Sequence, residues 1–286
     1  MVGFMRLLYK KLKKSFFGKL GLLIIFIFTL LAILGPSVSP HNPDAMKLTK
    51  RLAPPVWARE GNWRHPLGTD MMGRDVLSRV ICGTRNSMIV GLFSSFIALL
   101  IGVSLGMISG YFGGFVEVIV MRMVDIMLAI PAVMLAVVLV AIIGPYPISI
   151  ILAMGLTMWS EYAKVIRSRI LVLREEPFVL AAKTMGASGR KIILRHIFPN
   201  IIYIIIVIFT LQIGLIILWS AGLSFIGLGG ATLSWGWDAA AGRVYLARAW
   251  WLSTIPGLAI FFCVLGCNLF GDWLRDALDP GVKTIV

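Results

Sequence analysis

The chain is poor in charge, and poorest in acid. Only 14% of its 286 residues are charged and only 13 are Asp or Glu, whereas an average soluble domain is roughly 25% charged. So little polar surface leaves no coat to present to water, which argues against a soluble enzyme and against a disordered chain. Cysteine is scarce as well. Cys82 has no evident partner, and Cys263 and Cys267, four apart on an apolar stretch, read as small hydrophobic packing residues rather than a disulfide framework. The three histidines, His41, His65 and His196, lie far apart in sequence. There is no G-x-x-x-x-G-K-[ST] phosphate loop and no H-E-x-x-H or C-x-x-C metal signature, so no metal site or cofactor is expected on this chain.

What the chain does have is hydrophobic length and basic charge. It is 59% hydrophobic, with a mean hydropathy of +0.92, and its 27 Lys and Arg give a net charge of +14. Basicity alone would admit nucleic acid, but no soluble basic domain is present to bind it. Hydrophobic and basic together indicate a membrane protein with cationic cytoplasmic faces. A membrane-crossing helix needs ~20 mostly apolar residues. Six stretches qualify, at about Leu20–Gly35, Ser87–Gly110, Ile119–Ile143, Ile148–Ala163, Ile201–Gly222 and Leu252–Trp273. The first extends back over Phe16 and Phe17 with Lys19 reaching the headgroups, and the residues after it lack an A-x-A cleavage site, so it is expected to be retained.

Lysine and arginine placement sets the direction. Residues 1–19 carry six, and the segment between spans four and five carries eight, from Lys164 to Arg195. Arg122, Arg275 and Lys283 fall on the same side, giving 17 there against ten on the other. Both termini are therefore expected in the cytoplasm. Tryptophans, which favour the membrane boundary, agree: Trp57, Trp63, Trp235, Trp237, Trp250 and Trp251 fall in external segments, and Trp273 marks the inner end of span six.

Few ionisable residues lie inside the spans. Asp125 has Arg122 three residues away and Glu161 has Lys164, so each acid is expected to form a local ion pair rather than a mid-membrane proton relay. Pro131 in span three and Pro256-Gly257 near the start of span six are expected to bend their helices. Gly102 and Gly106 form a G-x-x-x-G spacing that suits close approach of another helix.

The most informative stretch is Glu175–Asn200, EEPFVLAAKTMGASGRKIILRHIFPN. Pro177 suits a helix start behind the acidic Glu175 and Glu176. Phe178, Ala181, Ala182 and Met185 share one face, Gly186 stops the helix, Ser188 can cap a second, and Pro199 closes the unit. A short amphipathic helix pair at 177–199 is predicted. It could rest on anionic lipid, but the small residues Ala181, Ala182 and Gly186 favour docking of another protein.

These residues resemble the cytoplasmic coupling motif of ABC importer permeases: Ala181-Ala182, Gly186 four residues on, and Pro199 thirteen after that. The usual leading Glu is replaced by Leu180. Gly186-Ala187-Ser188 with Arg195 to Asn200 is similar to the dipeptide/oligopeptide/nickel branch. So are His65–Asp70 with Gly73–Arg79, and Leu223–Gly229, Ser234–Gly236 and Gly271–Pro280. The Gly229–Ser234 connection is shorter than usual and lacks the customary prolines.

The resemblance implies an all-α membrane protein of the cytoplasmic (inner) membrane, with six transmembrane helices and a coupling helix pair between the fourth and fifth. Its parts would be a basic cytoplasmic N-terminus (1–19), a first helix (20–35), an extracytoplasmic segment (36–86) and a permease core (87–286). It implies a non-catalytic subunit working with a homologous permease, two cytoplasmic ATPases that hold ATP and Mg, and an extracytoplasmic substrate-binding protein, within membrane lipid and without nucleic acid. ATPase coupling would fall to Ala181, Ala182, Gly186, Ala187, Ser188, Arg195 and Pro199, with Arg167 and Arg169 helping to hold the unit to spans four and five. The outer mouth would fall to Trp235, Trp237, Arg243 and Trp250. Peptide is the expected substrate, with nickel or another small solute the alternative. An ion-coupled secondary transporter or channel is the competing class.

Overall fold

A computed structural model describes residues 2–229 and 232–278, with side chains from residue 8 onward. Lys283, Asp279 and Pro280, used above for orientation and motif, lie outside these residues, as does part of the Gly229–Ser234 connection. The described residues form helices joined by turns, with a single isolated β-bridge between Thr69 and Asp75 and no named strand. Helix α1 (Val2–Lys14) leads into α2 (Phe16–Val38), whose start is capped by Ser15 accepting the Gly18 N–H. A turn-rich collar at residues 39–75 precedes α3 (Val76–Phe112), capped by Asp75. Then come α4 (Gly114–Ala129), α5 (Ala132–Ile143), α6 (Pro147–Leu173), α7 (Pro177–Thr184), α8 (Gly189–Ile192), α9 (Phe198–Phe225), α10 (Trp235–Gly242) and α11 (Trp251–Leu278).

Among the described residues, four continuous helical stretches are long and apolar enough to cross a membrane: Phe16–Val38, Val76–Phe112, Gly189–Phe225 and Trp251–Leu278. The bent pair α4 and α5 makes a fifth if taken as one span. Helix α6 is long enough, but its second half carries Glu161, Lys164, Arg167 and Arg169. Its placement explains the polarity. Met154, Tyr162, Ala163, Ile166 and Ile170 have no exposed surface, so α6 is wrapped by its neighbours and needs little lipid-facing surface of its own.

The glycine spacing in α3 does what it predicts, and its contact is α6. A Cβ at Gly102 would stand 2.3 Å from the Trp159 carbonyl oxygen, one at Gly106 2.8 Å from that of Ala163, and one at Gly110 3.0 Å from Ile170 Cβ. Backbones this close gain dispersion along the whole seam, which replaces the hydrophobic drive that lipid does not supply. A second seam joins α2 to α11, where a Cβ at Gly21 would lie 2.6 Å from the Phe270 nitrogen.

Pro131 does more than bend a helix. Ile130 before it is extended (φ −96°, ψ 127°), α4 ends at Ala129, Pro131 caps α5, and the two axes meet at 89°. The cause is the clash between a proline ring and a helical residue before it. Pro256, by contrast, sits six residues into α11 and that helix continues through it to Leu278 with Gly257 in open space, so the expected bend there is not a break. Both expected local ion pairs are also corrected. Arg122 and Asp125 are exposed and lie in no salt bridge among the described residues, while Glu161 accepts from Gln212 Nε2 on α9 and Lys164 is exposed. The charge pairing that forms is between helices: Arg167 on α6 binds Glu117 on α4, with Nε 2.9 Å from Oε1.

Candidate functional site: the coupling surface and the outer collar

The two ends of the bundle can be told apart by contact. Lys11 Nζ donates to the Ala277 carbonyl at 2.9 Å, and Trp273 lies over Gly18, so the start of α2 and the end of α11 are together. A Cβ at Gly35, near the end of α2, would meet the Ile81 carbonyl oxygen at 3.0 Å, which puts the start of α3 at the opposite end. The end of α3 therefore lies with the chain termini, and the segment 177–199 lies there too, with Gly189 against the Tyr111 ring.

In that segment Pro177 occupies the first turn of α7, where its missing N–H costs nothing. Val179 and Ala182 are buried in the main core, holding α7 to the bundle. Ala182 is thus a packing residue, and its small size serves this chain rather than a visitor. The exposed side carries Phe178 (41% exposed), Ala181 and Met185 (81%), one helical face at i, i+3 and i+7. Leu180, standing where the coupling motif usually has Glu, is 43% exposed.

Gly186 ends the helix with φ +79°, a conformation that favours glycine, and nothing lies within 4 Å of where its Cβ would be. Ser188 occupies the cap position of α8, but its side chain makes no capping hydrogen bond. Ser188, Arg190, Lys191, Leu194 and Arg195 line a shallow basic concavity.

The second helix of the predicted pair is not separate. From Gly189 it runs through a π-helical turn (Ile193–Ile197) into α9, with Pro199 in the first turn of α9. Pro199 has no N–H to give an i−4 partner, and a wider turn absorbs the loss, so the proline modifies the helix without closing it. Movement of the segment is therefore movement of α9. Arg169 on α6 reinforces the link by donating to Tyr203 Oη on α9 at 3.0 Å. Arg167, in contrast, ties α6 to α4.

At the opposite end, Trp235 does not line a mouth. It has no exposed surface, stacks edge-on against Phe28 at 5.3 Å and donates Nε1–H to the Val80 carbonyl at 3.0 Å, anchoring α10 to α3. Trp237 is half-buried and Trp250 is 47% exposed. Arg243 is exposed and lies over the Phe225 ring at 5.2 Å. Arg79 on α3 reaches Asp238 on α10 with Nε at 3.0 Å and Nη2 at 2.5 Å from Oδ1, while Nη1 approaches Asp44 at 3.4 Å. Burial pushes the Asp238 carboxyl above its ordinary pKa, against the opposing pull of Arg79.

Sequence reasoning missed a further constellation here. His41 and His65, 24 positions apart, stack with ring centres 4.8 Å apart beside Asp75. No spacing rule reports such a meeting, because the collar's turns create it.

A family model for the binding-protein-dependent transport system inner membrane component matches residues 102–284, and one for the N-terminal TM domain of oligopeptide transport permease C matches residues 3–55. A dipeptide transport system permease protein of Alkalihalophilus pseudofirmus is 38% identical over 278 residues, 96% of this chain and 90% of the relative. A di/tripeptide transport system permease protein of Pseudomonas aeruginosa is 39% identical, covering 92% of this chain and 88% of the relative. A probable D,D-dipeptide transport system permease protein of Escherichia coli is 42% identical, covering 90% and 85%. Among solved structures, inward-facing conformations of the MetNI methionine ABC transporter match with a TM-score of 0.58 at 18% identity, over 70% of this chain and 97% of the other, a likeness of fold.

Proposed function

Because the chain belongs to the family of binding-protein-dependent transport system inner membrane components and is a multi-pass protein of the cytoplasmic membrane, we propose that it is the permease half of an ATP-driven peptide importer. Peptide is favoured because the similar permeases are named for dipeptides, tripeptides and D,D-dipeptides. The chain would cross the membrane six times, counting α4 with α5 as one span and α6 as another. The end that gathers residues 2–19, the end of α11 and the segment 177–199 would face the cytoplasm. The excess of Lys and Arg on those segments supports this direction.

The partners in this reading are a homologous permease, two ATPases that bind nucleotide and magnesium, and an external binding protein. This chain does no bond chemistry. Its task is mechanical, and one observation carries it: an exposed apolar face on α7 adjoins a basic concavity on a helix continuous with membrane-spanning α9. An ATPase gripping Phe178, Ala181 and Met185 beside Arg190 and Arg195 would transmit its closure along α9 without a joint to lose it in. Exposed apolar surface at a polar boundary is what a protein partner covers. Gly186, Ala187 and Ser188 form the turn between the two gripped parts. At the other end, Trp250, Arg243 and the half-buried Trp237 would rim the outer mouth.

Gly186→Trp tests this. The added ring points into open space, so the bundle should stay folded while the docking surface is obstructed. Its positive φ adds local strain, so Gly186→Ala serves as the control. The expected result is normal membrane insertion with ATP hydrolysis no longer yielding uptake for Trp, and near-normal uptake for Ala. Full uptake by the Trp variant would refute docking at this surface.

A further inference from the structure

We infer that His41, His65 and Asp75 form a binding site for one divalent transition-metal ion, which staples the outer collar to the start of α3. The three residues come from three separate pieces of chain: the stretch just after α2, the middle of the collar, and the cap of α3. Each offers one ligand atom, and these atoms lie within 4.8 Å of one another. Two of the residues are deeply buried, His65 at 6% and Asp75 at 2% exposure.

The cluster is an incomplete hydrogen-bond network: the His65 ring is hydrogen-bonded to Asp75 and the His41 ring is not. His65 Nδ1 is 2.9 Å from Asp75 Oδ1, and His41 Nδ1 is 3.7 Å from Asp75 Oδ2. Two ligands bound at ~2.0–2.1 Å to a tetrahedral ion stand about 3.3 Å apart, so binding would replace the His65–Asp75 hydrogen bond and draw together ligand atoms that now lie within 4.8 Å of one another. The 3.7 Å separation is too long for a hydrogen bond, and His41 Nδ1 is buried with no hydrogen-bond partner among the described residues. A buried, unpaired His41 Nδ1 beside a carboxylate is costly without an occupant, and an ion at this site would satisfy it.

The supporting shell is in place as well. Asp75 Oδ2 accepts from the Ser78 N–H at 2.8 Å and the Ser78 hydroxyl at 2.6 Å, and Ser78 Oγ accepts the His41 N–H at 3.0 Å, so both residues are oriented through one serine. Such outer hydrogen bonds fix ligand carboxylates in metal centres. Two imidazoles and one carboxylate suit Zn²⁺, Ni²⁺ or Co²⁺ and poorly suit Ca²⁺ or Mg²⁺, which take oxygen ligands. Three protein ligands leave a fourth position for water. The His41 side chain, 29% exposed, marks the side from which the ion enters. The site lies in the collar, apart from the coupling surface, and the inference does not depend on what the permease transports.

The test uses the full-length chain purified in detergent with a tag free of histidine, stripped with chelator and titrated with Co²⁺ as the probe. One equivalent should bind and give a visible absorption band of a low-coordinate N/O site, displaced by Zn²⁺ and not by Mg²⁺. His41→Gln and His65→Gln should each weaken binding by at least the ~10–100-fold typical of losing even a supporting group, and His196→Gln should change nothing. His41 is partly exposed and its structural hydrogen bond is made by its backbone, so His41→Gln should keep the fold, as checked by size-exclusion profile. No band in the stripped wild type, or a band that survives both substitutions, would overturn the inference.

Discussion

At the scale of single residues, the pair Arg79–Asp238 shows how a buried charge acts in this protein. The side chains are 5% and 10% exposed, and Asp238 Oδ2 is buried with no hydrogen-bond partner among the described residues. Desolvation offsets much of the attraction, so the pair's value lies in fixing α10 against α3 rather than in net stability. Removing one partner strands the other. Arg79→Met should therefore cost about 3–5 kcal/mol, and the double variant Arg79→Met with Asp238→Leu should recover most of it, as measured by thermal unfolding of the four proteins in a mutant cycle. Equal losses in the single and double variants would show that the pair is not the cause.

Residue-level pairing was also where the sequence misled. Spacing by three identifies Arg122 with Asp125 and Lys164 with Glu161, but in a packed bundle the stronger choice is the residue that another helix brings, as Glu117 is brought to Arg167 and Gln212 to Glu161. Intrahelical spacing carries no information about that.

At the scale of elements, the helices were legible because apolar length and glycine spacing are local quantities. The α3 glycines named their own role, though not their partner. They also make a prediction. Gly102→Leu forces a side chain to within 2.3 Å of a carbonyl oxygen that cannot retreat without moving α6, and overpacking of this kind costs typically 1–3 kcal/mol or more. Gly222→Ala has nothing within 4 Å and should be neutral or gain up to about 1 kcal/mol from helix propensity. Fluorescence-monitored melting in detergent separates the two: a lowered Tm for the first, an unchanged or slightly raised one for the second.

Less legible were the breaks. Proline reports that a hydrogen bond is missing, but not how the chain responds. The response is a right angle at Pro131, a π-helical turn before Pro199 and continuation at Pro256. The same continuity at Pro199 turns a predicted helix pair into one short helix and an extension of α9. That arrangement is better suited to transmit a push.

At the scale of the whole molecule, an acid-poor, basic, apolar chain resolves into a bundle with two different ends. One end collects basic segments and an exposed apolar face. The other holds buried ion pairs, an anchored tryptophan and a two-histidine, one-aspartate cluster. Composition and motif order were enough to identify the family, because topology leaves a charge pattern, and the family's motifs a residue pattern, in linear sequence. Long-range meetings, such as His41 with His65, leave no such trace. The measurement that decides whether this is the membrane half of an ATP-driven importer is peptide uptake into liposomes carrying this chain with its co-purified permease and ATPase partners, with the binding protein added outside. Uptake that requires both ATP and the binding protein, and that persists when ion gradients are collapsed, is the predicted result. Uptake without ATP that follows an ion gradient would contradict it.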